Sequence, residues 1–187
     1  EALVFESNES NARAGWSLAG GSDITGDGRL DMVVGSITHE LNDDDVGGVW
    51  LVPGAYIDSL YSLRQPLPVQ SLPVDVHPLV PLEVTDNRLL EGGQLNEDFG
   101  YSISLMPGYG PGGRAAVWIG APGKSIGTES DAGQAGLYVY GDSGWNPHPS
   151  LVMVGETEYG RGELGHTVDS LTTDGSFYLS VGAPFGH

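Results

Sequence analysis

The sequence predicts an all-β protein, and three observations carry that expectation. Glycine and proline are abundant, with 30 and 12 residues in a chain of 187, which suits many short strands joined by tight turns better than long helices. Short runs rich in β-branched and aromatic residues recur, "MVVG" at 32–35, "VWIG" at 117–120 and "YLSVG" at 178–182 among them, as buried strands require. These runs fall inside three segments that repeat one another, which points to a stack of like-built β units.

Taken in chain order, "ALVFE" at 2–6 reads as a strand preceding the first unit. The units open at Gly15 ("GWSLAGGSDITGDGRLDMVVGS"), Gly100 ("GYSISLMPGYGPGGRAAVWIGAP") and Gly165 ("GHTVDSLTTDGSFYLSVGAP"). From the opening glycine to the glycine ending the apolar run there are 20 positions in the first two and 17 in the third. Each unit therefore reads as strand, loop, strand, the third with a shortened loop. Third strands follow in "GGVWLVPG" at 47–54 and "QAGLYVYG" at 134–141, and less regular fourth strands in "PLEVTDNRLLEG" and "SLVMVGE". Four antiparallel strands per unit is the count of a propeller blade. The expectation is thus one segment of a β-propeller, with repeats near 15–54, 99–141 and 164–187. The first unit carries about twenty extra residues by this alignment, placed in the Pro-rich stretch 61–82, where proline disfavours a central strand. No amphipathic helix is expected anywhere.

Composition narrows the partners. The 25 acidic residues against 7 basic ones give a formal net charge of −18, which repels nucleic acid and anionic membranes and favours cations. The same acidity suits either a calcium-rich extracellular setting or a high-salt habitat. Cysteine is absent, so neither disulfides nor thiolate metal sites stabilise the chain. The "NES" at Asn8 fits a glycosylation sequon, a pattern short enough to recur by chance.

The pairs "AG" at 14–15, "FG" at 99–100 and "LG" at 164–165, an Asp-rich loop, and "GAP" at 120–122 and 182–184 with "GSI" at 35–37 together resemble the FG-GAP repeat. The resemblance covers the chain from about residue 15 onward. It implies a β-propeller similar to that of integrin α subunits, or to that of phospholipases D acting on glycosylphosphatidylinositol. It further implies an extracellular or cell-surface, non-catalytic adhesion or protein-interaction module with a protein or glycan ligand. The alternatives are the accessory propeller of a secreted hydrolase such as a phospholipase D, or a structural subunit of a surface assembly. Two and a half repeats would leave open sheet edges for other blades or subunits to cover.

One loop carries recognisable chemistry. In "DITGDGRLD", oxygens of Asp23, Thr25 and Asp27 recur at alternate positions, Gly28 permits the turn and Asp31 closes the set. Hard oxygen donors in a flexible ring are what Ca²⁺ takes. The backbone carbonyl of Arg29 would be the middle ligand, with its side chain turned away. An EF-hand is excluded at the twelfth position, where Val34 stands in place of a bidentate Glu, and by the strand that follows. In the family resembled, Asp31 at the ninth position completes the coordination instead. At equal spacing the second unit offers Gly108, Gly110, Gly112 and Ala116, and the third only Asp174-Gly175. One calcium site is therefore expected.

Other motifs are weaker. "GKSIG" at 123–127 matches a nucleophile elbow around Ser125 but lacks a following helix, and "GYGPGG" at 108–113 matches a dinucleotide fingerprint but carries Pro111. The acidic stretches "NDDD" at 42–45 and "ESD" at 129–131 read as solvated hairpin loops, with cation or ligand contacts as the alternative. Trp16, Trp50, Trp118 and Trp145 read as packing residues, Trp145 being the one placed to meet a sugar or partner if exposed.

Overall fold

The computed structural model describes residues 4–7, 9, 11–63, 79–81, 89–155 and 161–185. Its elements are β1 (Val4–Glu6), β2 (Ser17–Ser22), β3 (Asp31–Ser36), β4 (Glu40–Leu41), β5 (Asp44–Asp45), β6 (Gly48–Val52) and α1 (Gly54–Leu63), then β7 (Leu79–Pro81) and β8 (Leu89–Glu91). There follow β9 (Ser102–Met106), β10 (Ala116–Ala121), β11 (Gln134–Gly141), β12 (Gly144–Trp145), β13 (Leu151–Val154), β14 (Thr167–Thr173) and β15 (Ser176–Gly182). Antiparallel sheets dominate, and among the described residues none of them is closed.

The first sheet runs β2-β3-β6-β8, and the second runs β9-β10-β11 with β13 on the far side of β11. The third is the hairpin β14-β15, turned by Asp174 (φ 48°) and Gly175 (φ 74°) between the paired Thr173 and Ser176. Two successive positive-φ residues give the turn handedness that matches strand twist.

Why the middle strands are apolar almost throughout follows from the stacking. In β3, Val33 joins a core shared with the second sheet, whereas Val34 joins a separate cluster with Trp50, Val52, Phe5 and Ile57. In β10, Val117 and Ile119 face the first sheet, and Ala116 and Trp118 face Val168, Leu179 and Val181 of the third. A strand buried on both faces loses the polar alternation of a one-sided sheet, which is why "DMVVGS" and "AVWIGA" read as continuous runs.

The three opening glycines make one contact, repeated. Gly15, Gly100 and Gly165 have φ of 90°, 90° and 93°, a region that only glycine enters without strain. Their amides donate to Gly35, Gly120 and Gly182 at 3.0, 3.1 and 3.1 Å. Ser17 Oγ then donates to the Gly100 carbonyl at 2.6 Å and Ser102 Oγ to the Gly165 carbonyl at 2.8 Å, joining each sheet to the next. Parallel bridges Gly47 to Phe99 and Gly133 to Leu164 repeat the join at the other end of the opening loops.

The expectation of no helix is overturned at α1. Pro53 supplies the first carbonyl, accepting from both Tyr56 and Ile57 at 3.0 and 3.1 Å, and Ile57 packs onto the Val34–Trp50–Val52 cluster. Of the Pro-rich stretch 61–82, residues 61–63 finish α1, 79–81 form β7 beside β1 in parallel, and 64–78 and 82 lie outside the described residues, as does Asn8. Trp50, Trp118 and Trp145 are buried, as packing residues should be, whereas Trp16 is 48% exposed. No helix among the described residues is long and apolar enough to cross a membrane.

Candidate functional site

The loop between β2 and β3 is shaped by its own carboxylates. Asp23 accepts from Gly26 N at 2.5 Å and Gly28 N at 2.8 Å, and Asp27 accepts from Arg29 N at 2.8 Å. These bonds hold Gly26 and Gly28 at φ of 83° and 81°, so the glycines at those positions answer to backbone geometry. Arg29 turns its guanidinium to Asp58 of α1 at 2.9 Å.

Asp31 behaves differently. Its side chain is 2% exposed; Oδ2 accepts from Ile24 N and Thr25 N at 2.7 and 2.8 Å, and Oδ1 from Gly54 N at 2.7 Å. One buried carboxylate thus closes the base of the loop and meets the first turn of α1, where amide dipoles favour negative charge. A carboxylate offers roughly four acceptor directions, so Asp31 retains about one, Asp23 about two and Asp27 about three.

Could the group expected here be held by these residues? Thr25 Oγ1 is a buried oxygen with no hydrogen-bond partner, and Asp23 and Asp27 have unused oxygens of the hard type that Ca²⁺ takes. The donor chemistry fits. Among the described residues, however, no group of three or more His, Asp or Glu side chains is gathered at metal-binding spacing. Asp31 lies at the base, committed to amides.

A residue that sequence reasoning missed stands over the loop. Arg114, from the loop before β10, lies so close to Gly26 that a side chain there would run into its guanidinium; it also pairs with Asp142 at 2.9 Å. The next residue, Ala115, donates its amide to the Asp23 carbonyl at 2.8 Å. The acidic loop of the first unit therefore touches the second unit's loop directly. The signal was the one charged residue in "GYGPGGRAA".

The second unit's loop has no carboxylate. A short 3₁₀ turn, Pro111–Gly113, and the bond from Gly110 N to Arg114 O at 2.8 Å shape it. Ser125 receives no helix behind it and donates its amide to Gln94 at 3.1 Å. "NDDD" forms the β4-β5 hairpin.

His39 and Lys124 stand at corresponding positions after β3 and β10, each against glutamate. His39, 5% exposed, stands between Glu9 at 2.9 Å and Glu91 at 3.1 Å. Lys124, at the corresponding position of the second unit, meets the fully buried Glu97 at 2.6 Å. Glu97 also accepts from Gly93 N at 2.7 Å. Burial, and then the charge of Glu97, push the Tyr138 hydroxyl far up from its usual range. No protein-family model matches the chain.

Proposed function

We propose that the chain is a calcium-braced segment of an FG-GAP-type β-propeller, serving as a non-catalytic adhesion or protein-interaction module at the cell exterior. The observation that carries this reading is the pair of like sheets joined by the same glycine and serine contacts, with an acidic loop at the junction of the first two. Asp23, Thr25, Asp27 and the carbonyl of Arg29 would hold the ion, with Asp31 supporting them from the base. An ion there would neutralise the turn and fix the contact from Asp23 to Ala115, bracing the units rather than reacting.

Exposed Leu171 and Tyr178, paired across the third hairpin on the face turned from the second sheet, support the accompanying reading that further sheet units or subunits cover that face. The test is calcium titration of the 187-residue chain, followed by calorimetry and melting. Binding at one site, with a rise in Tm that Asp27→Ala abolishes, is the expected result. Equal melting in calcium and in chelator would refute the ion.

A further inference from the structure

The two joins between units leave a matching half-join on the first sheet and on the third. In both joins the serine two residues after an opening glycine, Ser17 or Ser102, donates its hydroxyl to the next opening-glycine carbonyl, that of Gly100 or Gly165. The same carbonyl lies where a side chain on Gly35 or Gly120 would stand. The third unit repeats this equipment, with Thr167 at the serine position and Gly182 at the closing glycine. A side chain on Gly182 would meet only Thr167, so among the described residues no carbonyl fills the cleft.

The first unit holds the other half. Three residues after the opening glycine, Ile103 and Val168 pack against the preceding sheet, whereas Leu18 at the same position is 61% exposed. No hydrogen bond reaches the Gly15 carbonyl among the described residues. One residue after the glycine, Trp16, Tyr101 and His166 form a ladder of rings with centroids 5.4 and 4.6 Å apart, open at Trp16 and at His166. The outer half of this face of the first sheet is already closed, since Phe5 and Ile57 cover Val34, Trp50 and Val52. What remains open is the inner half, and the third unit offers an inner hairpin with Leu171 and Tyr178 exposed on the facing side. Leu171 stands where the second unit has Met106, which is buried against the third.

We propose that the third hairpin of one copy seats on the first sheet of a second copy, Thr167 donating to the Gly15 carbonyl of the partner subunit, and that two such contacts close a ring. A head-to-tail contact ends either in a ring or in a filament. Each copy supplies three inner hairpins, β2-β3, β9-β10 and β14-β15, so two copies supply six, within the four to eight units at which propellers close, whereas three copies exceed it. The second copy is the fitting occupant because its opening glycine, at φ 90°, presents carbonyl, leucine and ring at the spacing that the two internal joins already use. The inference rests on the propeller reading and names the partner for its open face.

The experiment is sedimentation of the 187-residue chain in calcium, at about 1 to 200 μM protein and at about 20 and 500 mM salt. Monomer and dimer alone are expected, with the dimer favoured at the higher salt, because screening weakens repulsion between two chains of formal net charge −18. Leu18→Asp and Leu171→Asp should each weaken association about tenfold or more. Mixed together they should associate again, since each keeps one intact half of the join and the pair can make one head-to-tail contact. A dimer that apposes the same patch on both copies gives no such rescue. Both side chains are exposed in the single chain, and melting of each variant confirms that it folds. A monomer throughout, a filament that grows with concentration, association untouched by either variant, or no rescue on mixing overturns the proposal. A monomer that still binds one calcium overturns it while leaving the propeller reading in place; a rescued dimer that binds no calcium supports it and refutes the ion.

Discussion

The loops at 23–31 and 108–116 hang from the same pair of strands at the same spacing, yet are built from different chemistry. The first is folded by three carboxylates accepting backbone amides. The second is folded by a 3₁₀ turn and a main-chain bond from Gly110 to Arg114. Because β2-β3 and β9-β10 share one register away from the loops, the first alone carrying a bulge at Gly21 beside its loop, the strands set the frame and the loop only has to close it. A loop released from framing is free to carry an ion, as the first is proposed to do.

The strongest way to break that comparison is at Asp31. Asp31→Ala leaves three buried or part-buried amides without their acceptor, and the loss of charge-assisted bonds to backbone should destabilise the fold by about 3–5 kcal/mol. The second unit, with Ala116 at the same offset, survives without such a group because no amide there depends on it. Urea unfolding in chelator measures the difference. A loss below about 1 kcal/mol would mean that the first loop is as dispensable to the frame as the second.

A slightly smaller effect tests whether the frame is really shared. A methyl group on Gly35 would collide with Ser17 and the Gly100 carbonyl, and one on Gly120 with Ser102 and the Gly165 carbonyl. Since the colliding atoms include backbone of the next unit, neither side can give way cheaply. Gly35→Ala and Gly120→Ala should each lose about 2–3 kcal/mol, by similar amounts. Unequal losses would show that the two joins differ despite their matching hydrogen bonds.

The strands of this frame were legible in the sequence because burial on both faces wrote itself as apolar runs at repeated offsets. Helix α1 was not. It meets the Val34–Trp50–Val52 cluster through Ile57, and its first-turn acceptor is Asp31, 23 positions upstream, so a local window sees only "GAYIDSLYSL". The acidic loop was legible as composition, but the commitment of Asp31 to amides was not, since Gly54 enters only through the fold. The recess lined by Asp98, Tyr101, Asp131, Glu163 and His166 was least visible: its carboxylates come from three loops, and only "ESD" hinted at one. A signal existed nonetheless. Asn96, Asp98, Arg161 and Glu163 lie four and two residues before the opening glycines, as Asn11 and Arg13 do, and all six have positive φ.

The calcium reading sharpens the loop comparison further. Calcium at about a hundred times its Kd should add about 2.7 kcal/mol to the chain and nothing to Asp27→Ala. Writing "DITGDGRLD" over 108–116 should raise the stoichiometry from one ion to two, because the strands presenting that loop are equivalent. A graft that folds and still binds one ion would assign the site to contacts from outside the loop, with Arg114 and Asp142 the nearest to examine.

The smallest effect concerns the positions two residues before the opening glycines, where the units carry Arg13, Asp98 and Glu163. Asp98 has its carboxyl raised by burial and by Asp131 and Glu163, so the folded state holds this proton to higher pH than the unfolded state does. Between the ordinary carboxylate value and that raised one, folding takes up a proton, and stability contributed at this position declines as pH increases. Above the raised value the penalty is complete. Asp98→Asn keeps the shape and removes the charge, so it should raise the Tm at pH 7, leave it nearly unchanged at pH 3, and flatten the pH dependence between. Asp98 is half-buried, and solvent screening keeps the gain modest. An Asp98→Asn variant that melts lower at pH 7 would mean that the ionised carboxylate is stabilised in the recess, with Arg13 outweighing both acidic neighbours.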